Sequence, residues 1–174
     1  IPDKFASKQP AIKGWTNYCV EKPTDQEIEN WGNSFDESNV AVCLGKASGI
    51  VAIDFDCVDP EVAEIMELLT PPSRVEKVGT KGWTRFYKWQ PGIDTDKLVI
   101  NGNIIFEVLS KNKKTTIPPS KHPSGASYEW KGESLSTVRP EDLGQFPVNI
   151  INSVRDMIIS KLPKYRSGEV QAYN

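Results

Sequence analysis

Ile50-Val51-Ala52-Ile53-Asp54-Phe55-Asp56 decides how the rest of this chain is read. Its opening residues are apolar, so they read as a strand, and its last two alternate positions are carboxylates. A side-chain period of two and a rise of about 3.3 Å per residue put Asp54 and Asp56 on one face, with Cα atoms about 7 Å apart. Oxygens brought within about 4 Å would repel by about 4 kcal/mol at an effective dielectric near 20, a cost that a divalent cation offsets. Oxygen-only ligands at a strand end suit Mg²⁺ or Mn²⁺. A bare Asp-x-Asp also ends strands and caps the turn that follows, so the pair needs partners elsewhere in the chain.

Upstream of this strand, Val40 to Leu44 is a second apolar run, joined to it through Gly45, Ser48 and Gly49 with the turn chemistry of a β-hairpin. Downstream, Asp59-Pro60 supplies an N-cap and first-turn pair, and Val62, Ile65, Met66 and Leu69 recur at helical spacing until Pro71 and Pro72. Short strands follow at 74–79, 83–89, 98–109 with a hairpin break at Asn101-Gly102, 114–118 and 127–130. Residues 1–23 read as an irregular opening segment. Thr24 with Glu27 is a capping-box pattern that starts a short helix carrying Ile28 and Trp31 on one apolar face. A short helical turn is expected after Pro140, and Val148, Ile151, Val154, Ile158 and Leu162 mark an amphipathic closing helix over 146–163. The order of strand pair, helix, several strands and helix predicts an α+β fold rather than an alternating doubly wound one.

The 174 residues, 38% hydrophobic and 25% charged, suit one globular domain spanning 1–174. Lys and Arg number 21 against 23 Asp and Glu, for a formal charge of -2, which argues against coating nucleic acid by bulk charge and leaves room for a local basic groove. No apolar run approaches the roughly 20 residues of a bilayer span, and no basic stretch leads into an apolar signal core, so a soluble, intracellular chain is expected. Cys19, Cys43 and Cys57 are odd in number and widely spaced. They read as reduced, mostly packed thiols rather than a disulfide framework or a zinc site.

A third carboxylate, Glu107, interrupts the apolar strand Ile104-Ile105-Phe106-Glu107-Val108, where an uncompensated acid is expensive unless it faces solvent from an edge. Asp54, Asp56 and Glu107 together make a candidate metal triad. Two segments offer the opposite charge. In Gly79-Thr80-Lys81-Gly82-Trp83-Thr84-Arg85-Phe86-Tyr87-Lys88 a glycine-containing turn feeds a strand, and its backbone N–H groups, Lys81 and Thr84 can meet phosphate oxygens. Pro118-Pro119-Ser120-Lys121-His122-Pro123-Ser124-Gly125 holds the chain's one histidine among hydroxyls and a lysine, with Lys111, Lys113 and Lys114 just upstream. Each segment alone also reads as a solvated loop. A nucleoside triphosphate with its metal would satisfy both charge sets at once.

These residues resemble the N-terminal primase/polymerase (Prim-Pol) domain of the archaeo-eukaryotic primase superfamily, found in plasmid and phage replication proteins. The likeness runs through Lys13-Gly14-Trp15 and the helix with Trp31, then Asn39-Val40-Ala41-Val42-Cys43-Leu44-Gly45 and Ser48 to Asp56, and ends at Pro118 to Gly125 with Tyr128 and Trp130. It implies a mixed, mostly antiparallel sheet related to the RNA-recognition-motif fold and flanked by helices, and template-directed nucleotidyl transfer with two metal ions, Asp54 and Asp56 forming the first metal motif and Glu107 the third. It also implies nucleoside triphosphates and a single-stranded DNA template as partners, a replicative helicase domain in the full-length chain, no membrane, and the cytoplasm of a bacterial or archaeal host.

The family's second motif usually ends in histidine, whereas Thr84 stands at that place here. A hydroxyl bonds a phosphate oxygen without bringing imidazolium charge. Lys81 first, then Arg85 or His122, are expected to supply it, with Ser120 and Lys121 as further triphosphate contacts. Template contacts are expected from Lys111, Lys113 and Lys114, with Trp83 either a stacking platform or a core residue. The main reading is a DNA primase/polymerase. The alternatives are a weakened or inactive nucleotide- or single-strand-binding module of the same fold and, further off, a sugar-nucleotide transferase that uses the Asp-x-Asp for its metal.

Overall fold

The computed structural model describes residues 1–4, 8–79, 81–166 and 170–173. In chain order the elements are β1 (Pro2–Asp3), α1 (Asp25–Ser34), β2 (Asn39–Cys43), β3 (Ile50–Phe55), α2 (Pro60–Leu69), β4 (Val75–Val78), β5 (Trp83–Lys88), β6 (Asp96–Ile100), β7 (Asn103–Leu109), β8 (Lys114–Ile117), β9 (Glu129–Gly132), α3 (Ile150–Lys161) and β10 (Val170–Tyr173). Short 3-10 turns sit at Trp15–Cys19, Pro140–Asp142 and Pro163–Tyr165. The strands form a seven-stranded sheet, in the order β10-β6-β7-β3-β5-β4-β9, and a three-stranded sheet, β1-β2-β8. Their ladders are antiparallel, and one isolated parallel bridge joins Lys88 to Gln145. The α+β expectation holds.

β3 occupies the middle of the large sheet, between β5 and β7, which is why its first residues are apolar on both faces. Val51, Ile53 and Phe55 face α2 and α3, packing with Val62, Ile65 and Met66 of one and Ile150, Val154 and Ile158 of the other. Each such side chain, fully buried, contributes about 1.5–3 kcal/mol. Ile50 and Ala52 face the opposite way and join Phe86, Val75, Leu109, Leu44, Val138 and Leu143, with Val42 and Ile117 of the small sheet packed against them. The small sheet therefore covers part of that second face.

The expected hairpin between the runs at 40–44 and 50–56 does not form as a ladder. Both edges of β3 are taken by β5 and β7, so β2 pairs with β1 and β8 instead, and only the bridge between Gly45 and Ile50 joins the two runs. Asn101-Gly102, with φ of 53° and 75°, makes the expected two-residue turn between β6 and β7. The capping box at α1 is present, Thr24 N donating to Glu27 Oε2 at 2.8 Å and Glu27 N to Thr24 Oγ1 at 3.3 Å. Its apolar face, however, stays outside the core: α1 has no buried residue, and Trp31 meets Tyr18 edge-on at 5.0 Å. The closing helix is shorter than expected, and Val148 precedes it in an exposed position. Cys19, Cys43 and Cys57 are free thiols. Among the described residues no helix is long and apolar enough to cross a membrane.

Candidate active site

Register turns three separate stretches of sequence into one polar row. Asp54 on β3 lies directly across from Thr84 on β5 and from Glu107 on β7, and Thr84 lies across from Lys77 on β4. Residues directly opposite on antiparallel neighbours share a face with Cβ atoms about 4.5–5.5 Å apart. Lys77, Thr84, Asp54 and Glu107 therefore run side by side across four strands, on the face that carries the small sheet. Beside the row a cleft of about 200 Å³ opens, its lining including Asp54, Asp56, Lys77, Lys81, Thr84 and His122, with Lys8, Trp83 and Tyr128 also on its walls. Three ammonium groups thus meet two carboxylates, a balance that favours an anionic ligand accompanied by a cation.

Each group has a defined anchor. Thr84 is buried and its hydroxyl donates to Asp54 Oδ1 at 2.5 Å. Asp56 lies just past the end of β3 and is exposed. His122 Nδ1 accepts the Ser124 backbone N–H at 3.1 Å and lies 2.8 Å from the Ser124 hydroxyl, and its ring meets Tyr128 edge-on. Lys77 is buried at 8% exposure, and its Nζ donates to Thr115 Oγ1 at 2.7 Å and to the Thr116 carbonyl at 3.2 Å, both on β8. Burial pushes its pKa down to about 8, against the upward pull of Asp54 and Asp56. The same Nζ stands 4.9 Å from the centre of the Tyr128 ring.

Other residues named from the sequence lie elsewhere. Arg85 is the neighbour of Thr84 along β5, so it points to the opposite face. There it donates to Glu76 Oε2 at 2.8 Å and Glu67 Oε2 at 2.6 Å, and its guanidinium stacks 4.0 Å from the Trp83 ring centre. It is not in the cleft. Ser120 is buried, exchanging hydrogen bonds with the Val40 backbone, and Lys121 binds Asn39 through its own backbone, so of that loop only His122 reaches the cleft. Lys111 is exposed, Lys113 pairs with Glu107 at 3.5 Å, and Lys114 is tied to Asp3 at 2.8 Å in a half-buried position. Trp83 is half-buried against Phe55 and lines the cleft. Thr80 lies outside the described residues.

Glu107 shares the face of Asp54 but turns its Oε1 to Lys113, and among the described residues no three His, Cys, Asp or Glu side chains gather into a metal cage. Like charges stay apart when nothing between them is positive, and here Lys113 and Thr84 take up the two acids separately. Asp54 and Asp56 fit a hard divalent ion by donor chemistry, being oxygen ligands at a cleft mouth, with Glu107 next in register. Lys77 and Lys8 were not named as site residues from the sequence, and Tyr128 entered only as part of the resemblance. The signal for Lys77 was available: Glu76-Lys77 puts two adjacent charges in a four-residue strand, so one must point into each face.

The polar row lies on the central strands β3, β4, β5 and β7, with the lysine-rich cleft beside it and His122 of the Pro118 to Gly125 loop in its lining. No curated protein matches the chain. A family model described as bifunctional DNA primase/polymerase, N-terminal, matches residues 1–147, which takes in every strand of the row and the loop. By that match the chain belongs to the bifunctional DNA primase/polymerase N-terminal family, Prim-Pol.

Proposed function

We propose that this chain catalyses template-directed nucleotidyl transfer, adding nucleotides to a 3′-hydroxyl on a single-stranded DNA template, in the replication of a phage or plasmid. Family membership supports primase/polymerase chemistry in general. The observation that carries the finer reading is the register of Asp54 with Glu107 and Thr84, which places two acids and a hydroxyl side by side next to a cleft rich in lysine. Asp54, Asp56 and Glu107 would hold Mg²⁺ or Mn²⁺, ions that acidify an attacking hydroxyl and neutralise a leaving pyrophosphate when bound. Thr84 orients the Asp54 carboxylate through its hydroxyl. Lys81 and His122, at the cleft wall, supply donors for triphosphate oxygens. Tyr128 and Trp83 wall off the cleft beside Asp54 and present aromatic surface to a base.

The test is extension of a labelled primer on a single-stranded template with deoxynucleotides or ribonucleotides and Mg²⁺ or Mn²⁺. Wild type extends the primer, and Asp54→Ala or Asp56→Ala each lowers the rate by about a hundredfold or more, the scale of losing one built-in electrostatic group. The second reading, a binding module without catalysis, has one observation in its favour, the lack of a gathered three-ligand metal cage among the described residues. It is the correct reading if wild type binds triphosphate yet shows no extension with either metal.

A further inference from the structure

Lys77 is the buried ionisable group of the cleft that neither the metal set nor the expected phosphate contacts account for. An ammonium taken out of water is expensive unless it is paired or hydrogen-bonded. Two of the three Nζ donor positions are used by Thr115 Oγ1 and the Thr116 carbonyl, both neutral acceptors, and no ion-pair contact is made with Asp54 or Asp56. The remaining donor position belongs to a residue that lines the cleft, on the same row as Thr84 and Asp54 and over the face of Tyr128. A cation placed in this way, with its alkyl stem packed and its head held by a second sheet, is preorganised for an anion.

We propose that Lys77 is a nucleotide-binding residue that donates its remaining N–H to a phosphate oxygen of the incoming triphosphate, and that it, rather than Lys81, supplies the main positive charge at this end of the cleft. This rests on reading the cleft as a nucleotide site. Lys81 is exposed at the turn before β5, so it must give up the freedom of a long solvated side chain to make one contact. Lys77 has already lost that freedom on folding. A charge-assisted bond from it excludes little water, because the ammonium is already largely desolvated.

The test is equilibrium binding of a fluorescent deoxyadenosine triphosphate in Mn²⁺ buffer to wild type, Lys77→Met and Lys81→Met. Loss of a hydrogen bond to a charged group predicts that Lys77→Met binds about 10- to 100-fold more weakly, a larger loss than Lys81→Met shows. Equal affinity in wild type and Lys77→Met, or a larger loss in Lys81→Met, overturns the assignment. Failure of wild type to bind the triphosphate at all instead overturns the reading of the cleft on which the assignment rests. A measurement on wild type guards against a misfolded variant: reductive methylation mapped by mass spectrometry should find Lys77 protected by deoxyadenosine triphosphate and unprotected by deoxyadenosine. Equal labelling with and without triphosphate overturns the proposal.

Discussion

At the scale of single residues, Lys77 carries a stability cost whose pH dependence has a definite sign. Burial holds its pKa at about 8 in the folded chain against an ordinary value of 10.5. Between those values the unfolded chain binds more protons than the folded one, so stability rises as pH climbs from about 8 to about 10.5, and below 8 the full cost is present. The size is about 3 kcal/mol, from 1.36 kcal/mol per pKa unit. In chelator-treated buffer, urea unfolding of wild type and Lys77→Met should therefore converge in wild type's favour as pH rises from 7 to 10, and the variant should melt no lower than wild type at pH 7. A pH-independent difference would mean that the ammonium is not held out of water. The same period of two that made Asp54 and Asp56 readable from sequence turns Arg85, beside Thr84 in the chain, to the other face, where it pairs with Glu76 and Glu67. The pair Glu76-Lys77 signals that one charge enters each face, but not that Lys77 is held by Thr115 and Thr116, which come from a strand of the other sheet.

At the scale of elements, the turn between β4 and β5 sets where β3 ends and the cleft begins. Gly82 has φ +48°, and a Cβ there would lie 1.8 Å from the Phe55 carbonyl oxygen and 3.2 Å from Asp56 Cα. A side chain is thus opposed twice, by the left-handed backbone and by the main chain that presents Asp56. Gly82→Ala should cost about 2 kcal/mol in urea unfolding and lower kcat/KM for primer extension, since the turn must move off the Asp56 backbone. Gly92→Ala is the control: its φ of +90° imposes strain, but nothing lies within 4 Å, so stability falls while extension by the folded protein does not. If both variants extend primers equally well, close packing of this turn against Phe55 does not shape the site. Periodicity and breakers located nearly every element, including the Asn101-Gly102 hairpin and the Asp59-Pro60 helix start. They could not say which strands pair. The turn chemistry at Gly45 to Gly49 is real, but partner choice was decided by β5 and β7 competing for the edges of β3, a contest that local pattern does not record.

At the scale of the whole molecule, a formal charge of -2 leaves template binding to local cations, and the seam between the two sheets decides which lysines are available for it. Lys114 Nζ donates to Asp3 Oδ2 at 2.8 Å, and the same oxygen accepts the Thr116 hydroxyl at 2.7 Å, with Asp3 wholly buried. Lys114 thereby fastens β1 to β8 and is spent on the small sheet. Lys111, three residues earlier, is exposed in the loop that follows β7. Truncating Lys114 strands a buried carboxylate, which costs about 3 kcal/mol. Removing a phosphate-contacting lysine instead lowers the slope of log K against log salt by about 0.7 for a single strand. Anisotropy of a labelled oligothymidylate across a salt series should accordingly find a shallower slope in Lys111→Ala and an unchanged slope in Lys114→Ala, while thermal melting should find the loss in Lys114→Ala alone. The opposite pattern, a shallower slope in Lys114→Ala with its melting unchanged, would mean that the Asp3 pair opens to the template, and that the small sheet is a gripping surface rather than a fixed wall of the cleft.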